Sequence, residues 1–319
     1  MAPDDVRQYP ILNPGKFRDP HITLDGQTRA SVTMDRLRTL WFNTGTLCNL
    51  TCRNCYIESS PKNDRLQYLT LHEVARYLDE IAHDNLDTAE IGFTGGEPFM
   101  NPEIIAMLEL CLSRGFRVIV LTNAMKPMRK CEEGLLDLKA RFADRLTIRV
   151  SLDHYTQTGH EDERGERSWQ PTVDGISWLT AQGFRTHIAG RTFMGEPLPQ
   201  ARDGYAALFA QHHWRIDAHN AQELVLFPEM DPARDVPEIT TACWGILNKQ
   251  PADVMCASSR MVVHRKGSER AAVVACTLIP YDPQFELGNI LKDAAKPVTL
   301  NHPHCARFCV LGGASCSSG

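Results

Sequence analysis

Asn43-Thr44-Gly45-Thr46-Leu47-Cys48-Asn49-Leu50-Thr51-Cys52-Arg53-Asn54-Cys55-Tyr56 is the stretch on which the reading of this chain turns. It follows Leu40-Trp41-Phe42, a short apolar run that reads as a strand, and it spaces its cysteines Cys-x3-Cys-x2-Cys. Thiolates this close cannot all point away from one another, and a loop lets them converge on one metal centre. Structural zinc takes four ligands, and the nearest Cys or His downstream is His72. A four-iron, four-sulfur cluster is normally held by four thiolates; held by three, it keeps one iron open to an exogenous ligand. A zinc knuckle completed from afar and three core cysteines stand as alternatives at this point.

Outward from this loop the chain alternates. Short apolar runs bounded by polar turns predict strands near 39–43, 89–94, 116–122, 146–151, 185–190 and 222–227. Amphipathic stretches near 70–83, 102–114, 132–142, 171–182 and 201–213 predict helices between them. Thr70 before Leu71-His72-Glu73 makes a capping-box pattern, and Asn101 precedes Pro102 at another helix start. Strands alternating with helices predict an α/β domain of parallel units over 39–228, able to close partly into a barrel. Residues 1–38, with four prolines, read as an irregular N-terminal arm. Past Phe227-Pro228 the rhythm breaks, and 229–253, with Pro232 and Pro237, read as a linker. Arg260–Arg265 and Ala271–Cys276 then alternate around Lys266-Gly267-Ser268-Glu269, the pattern of a hairpin. It belongs to a small cysteine-rich α+β domain over 254–319.

The 319 residues carry 34 Lys+Arg against 39 Asp+Glu, a net charge of −5. That balance is too mild for a nucleic-acid footprint or a polyanionic tail. No apolar run approaches the roughly 20 residues of a membrane helix, and Met1-Ala2-Pro3-Asp4-Asp5 lacks the basic and apolar regions of a signal peptide. The expectation is a cytoplasmic protein without nucleic-acid or membrane partners. Eleven cysteines are many for a compartment that keeps thiols reduced, and they imply metal or redox use. Cys48, Cys52 and Cys55 crowd near the start, Cys305, Cys309 and Cys316 at the end, and Cys243, Cys256 and Cys276 lie between.

The predicted second strand ends in Thr94-Gly95-Gly96-Glu97-Pro98. Paired glycines let the backbone approach a ligand closely, and Glu97 offers an acceptor for an ammonium group. One βα unit after Cys-x3-Cys-x2-Cys, this pattern resembles the radical S-adenosylmethionine (SAM) superfamily, from about Leu40 to Phe227. The resemblance implies a partial (β/α)6 TIM-like barrel whose Cys48, Cys52 and Cys55 bind a [4Fe-4S] cluster. SAM would chelate its open iron. Gly95, Gly96 and Glu97 match the motif that holds the SAM methionine amine, and Tyr56 matches an aromatic position near adenine. Ser151 and Asp153 resemble the ribose-contacting pair, and Asn123 matches a polar end of the third strand. The implied chemistry is reductive cleavage of SAM to a 5′-deoxyadenosyl radical, which removes a hydrogen atom from substrate. The cofactors carry that reaction while the protein orients and shields it.

The C-terminal region resembles the SPASM/Twitch extension of such enzymes over roughly 254–316. There a cysteine, a hairpin glycine and a second cysteine precede a Leu-Gly-Asn segment, here Cys256, Gly267, Cys276 and Leu287-Gly288-Asn289. The resemblance implies a Twitch-like domain with an auxiliary [4Fe-4S] cluster on Cys256, Cys276, Cys305 and Cys309. Cys316 would be a substitute ligand or a free thiol. It further implies an oxidoreductase or maturase acting on a small molecule or a peptide, with an electron donor such as flavodoxin or ferredoxin. Three alternatives remain. The tail could bind structural zinc; it could serve sulfur insertion, since Cys305-x3-Cys309-x6-Cys316 before Ser317-Ser318 faintly resembles lipoyl synthases; or the whole could be a non-catalytic iron–sulfur or zinc module. Cys111 is expected in the core, Cys131 at a helix start, Cys243 as core or ligand, and His302 and His304 at the surface. The run Glu161-Asp162-Glu163-Arg164-Gly165-Glu166-Arg167 is expected as a solvated loop.

Overall fold

The computed structural model describes residues 10–313 apart from 193–195, 229 and 232. Its core is one nine-stranded sheet of β1 (Thr39–Asn43), β2 (Glu90–Thr94), β3 (Arg117–Thr122), β4 (Leu146–Ser151), β5 (Arg185–Arg191), β6 (Leu224–Phe227), β7 (Ser259–Val263), β8 (Ala272–Val274) and β9 (Glu286–Gly288). The spatial order is β9-β8-β7-β1-β2-β3-β4-β5-β6. Every pair from β7 across to β6 is parallel, and β8 and β9 add antiparallel at the β7 side. Helices α1 (Leu71–His83), α2 (Ile104–Ser113), α3 (Glu132–Phe142), α4 (Gln157–Arg164), α5 (Trp169–Ala181) and α6 (Leu198–Gln211) connect successive strands. The arc β1 to β6 does not close on itself in this order, so it is a partial (β/α)6 barrel, as expected.

Local chemistry explains the frame. All five residues of β1 are buried, as in a parallel strand covered on both faces. In α1 the Thr70 hydroxyl accepts the Glu73 N–H, the Glu73 carboxylate accepts the Thr70 N–H, and Val74, Tyr77, Leu78 and Ile81 form the buried stripe. The strands stay in register: Asn43 lies opposite Thr94 and Ser151 opposite Ala189, so the C-terminal ends and their loops share one rim. Ligand sites of parallel α/β folds sit on that rim.

Two expectations change. The run Glu161–Arg167 is largely helical, because α4 covers Gln157–Arg164 and buries His160 and Glu163. Its buried face is polar, so no apolar stripe announces it. Second, β7 of the predicted hairpin pairs parallel with β1, Thr39 opposite Ser259, so the C-terminal hairpin extends the barrel sheet. Beyond the hairpin, Cys305–Leu311 forms a π-helical turn. The N-terminal arm is irregular but tied down: Ser31–Val32 pairs with Val298–Thr299, and single bridges join Ile11 to Arg234 and Arg29 to Thr240. Among the described residues no helix is long and apolar enough to cross a membrane.

Candidate active site and cysteine centres

A cleft opens at the C-terminal rim of the parallel strands. Cys48, Cys52, Cys55 and Tyr56 line it from the β1 loop, Gly95 and Gly96 from the β2 turn, Asn123 beyond β3, and Ser151 and Asp153 at the end of β4. Of the first-site residues expected from sequence, only Glu97 is missing from its wall. Leu50 N–H donates to Cys48 Sγ at 3.4 Å and Ser59 N–H to Cys55 Sγ at 3.3 Å. Burial pushes the Cys48 thiol up to about 12 and raises Cys52 as well. Each would ionise only against a compensating positive centre. Among the described lining residues there is no fourth thiol and no imidazole. The donor set therefore fits a cluster held by three thiolates with one iron left open.

The glycine turn has a structural task besides any ligand contact. Gly96 N–H donates to the Gly45 carbonyl at 2.8 Å and Glu97 N–H to the Leu47 carbonyl at 3.1 Å. A Cβ on Gly96 would lie 2.1 Å from the Leu47 oxygen, and Gly95 has φ +141°. The paired glycines thus let the turn clamp the cysteine loop directly. Glu97, expected as an ammonium acceptor, is 1% exposed. Its carboxylate accepts the Phe99 N–H (3.1 Å), the Thr122 hydroxyl (2.8 Å) and the Asn123 N–H (2.8 Å). Burial raises its pKa, and these three bonds oppose the rise. Glu97 is a brace between the β2 and β3 turns. Asn123 in turn donates from its side chain to Asn49 of the cysteine loop at 2.9 Å.

The charged wall of the cleft is where sequence reasoning missed most. Asp153 pairs with Arg164 Nε at 2.7 Å and Arg191 Nε at 3.3 Å. Burial alone would raise its pKa, but the two guanidinium groups hold the carboxyl below its ordinary range. Arg164 is half-buried; burial works against its charge, but Asp153 and the thiols of Cys52 and Cys48 raise its pKa. Glu163 accepts two bonds from Asn54 Nδ2, at 2.8 and 3.1 Å, and its carbonyl accepts the Arg53 N–H at 2.8 Å. Arg191 Nη2 donates to the Asn54 carbonyl at 3.1 Å and its guanidinium lies 4.9 Å from the Tyr56 ring centre. So α4 and β5 hold the far side of the cysteine loop. Arg191 falls one residue past the strand predicted near 185–190, and nothing in the composition of the Glu161–Arg167 run marked Arg164.

A second set gathers below. Cys256, Cys276, Cys305 and Cys309 line one small cavity with Val254, Phe285 and other apolar side chains. Burial drives the Cys305 thiol well above its ordinary value, and its three cysteine neighbours push the same way. Four convergent thiols in an apolar pocket fit a [4Fe-4S] cluster. Cys316 lies outside the described residues. Among those described, no three His, Cys, Asp or Glu side chains meet at the spacing of a single metal ion. His304, expected at the surface, is 9% exposed and lines this cavity. Its ring stands edge-on to Tyr56 at 6.3 Å and to His302 at 4.6 Å. His302 is partly buried, and burial lowers its pKa to about 4. Leu278 lines both cavities, so the two cysteine centres are near neighbours. Cys243 is half-buried, lines neither, and accepts the Thr240 N–H at 3.4 Å. Cys111 is fully buried in α2 and Cys131 caps α3.

Comparison with known proteins accords with this geometry. Residues 42–199 match the model of the radical SAM superfamily. The chain is 28% identical over 278 residues to the antilisterial bacteriocin subtilosin biosynthesis protein AlbA of Bacillus subtilis, covering 80% of this chain and 58% of that protein. It thus spans little more than half of that relative's length. It is 27% identical over 142 residues to the AdoMet-dependent heme synthase of Methanosarcina barkeri, 44% of this chain and 38% of that one. In fold it resembles Streptococcus suis SuiB bound to S-adenosylmethionine, with TM-score 0.56, 13% identity, and 79% and 63% of the two chains covered. It also resembles anSMEcpe with bound AdoMet, with TM-score 0.55, 15% identity, and 81% and 77% covered. Residues 42–199 are a radical SAM domain, and the cysteine-rich region that follows them lies where the SPASM/Twitch extension is expected.

Proposed function

We propose that this protein is a radical SAM oxidoreductase or maturase with two iron–sulfur clusters, acting on a peptide. The observation that carries the reading is the meeting of Cys48, Cys52 and Cys55 with the Gly95-Gly96 turn on one rim cleft. When bound, the cluster and SAM supply a 5′-deoxyadenosyl radical that removes a hydrogen atom from substrate. The chain's own residues hold and shield. Cys48, Cys52 and Cys55 bind the cluster, and the N–H groups of Leu50 and Ser59 steady two of their sulfurs. Gly95 and Gly96 offer backbone to the methionine end of SAM, in place of the Glu97 carboxylate. Arg164, coupled to Cys52 and Cys48, offers a cation to its carboxylate. Tyr56 provides a ring face for adenine, and Ser151 and Asp153 polar contacts for ribose; Asn123 positions the loop.

Cys256, Cys276, Cys305 and Cys309 would hold the auxiliary cluster. The completeness of this set around one cavity supports a retained cluster over one consumed in sulfur insertion. A peptide is favoured over a small molecule because relatives are described as a bacteriocin biosynthesis protein and as SuiB bound to the precursor peptide SuiA. Reduction requires a one-electron donor of the flavodoxin or ferredoxin class. Anaerobic reconstitution, then SAM and dithionite, is expected to yield 5′-deoxyadenosine, abolished by Cys48→Ala. A fully iron-loaded chain that leaves SAM uncleaved overturns the reading.

A further inference from the structure

Strand β7 carries a charge in its core. All five of its residues are buried, and Arg260 among them is 1% exposed. Its Nε donates to the Ala294 carbonyl at 2.8 Å, its Nη1 to the carbonyls of Cys256 at 2.6 Å and Ser259 at 2.8 Å, and its Nη2 to that of Lys296 at 3.3 Å. Every one of these partners is a neutral carbonyl. Among the described residues no carboxylate pairs with the guanidinium, and the acidic groups whose field it feels are the thiols of Cys256 and Cys276. A guanidinium keeps its proton inside proteins. A buried charge without an opposite charge nearby is strongly unfavourable. The carbonyl cage satisfies its hydrogen bonds with neutral oxygens, and one of them belongs to Cys256, whose side chain lines the second cysteine cavity.

We infer that Arg260 is the built-in counter-charge of the second cysteine centre and raises the reduction potential of a [4Fe-4S] cluster bound there. This rests on the reading of Cys256, Cys276, Cys305 and Cys309 as its ligands. One-electron reduction adds a negative charge to the cluster, so a fixed cation beside it favours the reduced form. The low dielectric of the core strengthens the interaction, and nearby charge and hydrogen bonding are among the levers that set iron–sulfur potentials. The bond from Nη1 to the Cys256 carbonyl makes Arg260 a positioning residue for that ligand as well. An auxiliary cluster tuned upward in this way is better placed to accept an electron than to donate one.

The test uses the full chain with Cys48, Cys52 and Cys55 replaced by alanine, so that only the auxiliary cluster gives an electron paramagnetic resonance signal. Arg260→Met and Arg260→Lys are compared with Arg260 by iron content and by redox titration of that signal. The methionine variant is expected to lower the reduction equilibrium at least tenfold, a fall of 59 mV for a one-electron couple, while the lysine variant stays near the parent. A methionine variant that fails to hold iron while the lysine variant loads at the parent potential also supports the charge requirement. Equal potentials in all three chains, or a lysine variant that shifts or loses iron together with methionine, overturn the inference alone. A parent chain that takes up no iron removes the cluster reading and the inference with it.

Discussion

Asp153 shows how one buried carboxylate can hold a site together. It joins Arg164 from α4 to Arg191 from β5, and these flank the cysteine loop through Glu163 and Asn54. Asp153→Asn keeps the shape and removes the charge, leaving two guanidinium groups without their shared partner. Breaking a buried pair costs about 3–5 kcal/mol, so chemical denaturation should show a loss of that order. The same variant should bind SAM more weakly. A loss below about 1 kcal/mol, the scale of a surface pair, would mean that solvent reaches this wall. Asp153 itself was legible, because it closes a predicted strand at the rim. Arg164 was not, because its run reads as solvent-facing and its partner Asp153 lies in the turn that precedes the helix, which no apolar periodicity marks.

At the scale of elements, the decisive contact lies between the β2 turn and the β1 loop. Gly96→Ala would place a methyl carbon 2.1 Å from the Leu47 carbonyl oxygen, backbone against backbone, so the loop must move. The prediction is a folded chain that loses the iron of the first site and keeps that of the second, read by iron analysis and circular dichroism. Iron retained in full would mean that the clamp does not set the loop. The strands, the α1 capping box and the glycine turn were readable because each depends on residues close in sequence. The parallel pairing of β7 with β1 was not, since it joins Thr39 to Ser259 and no local pattern states which edge a hairpin will choose. The polar buried face of α4 escaped for a related reason: periodicity detects apolar stripes, and this helix is fixed by ion pairs and hydrogen bonds.

Over the whole molecule, one sheet carries both cysteine centres. The first hangs from the rim beside β1, and β7, paired to β1, leads the second set toward it. Leu278 lines both cavities, and Tyr56, next to Cys55, meets His304, next to Cys305. Spacing alone marks the first group, the family resemblance supplies the second, and the sheet brings Cys256 and Cys276 together with Cys305 and Cys309. The central proposal is that both sets of thiols, one of three and one of four, hold an iron–sulfur cluster. Iron and acid-labile sulfide counted after anaerobic reconstitution test it most directly. The expectation is about eight of each per chain, falling to about four when Cys48, Cys52 and Cys55 become alanine and to about four when Cys256 and Cys276 do. Zinc in place of iron at the second set, or an iron count that either variant leaves unchanged, would contradict it.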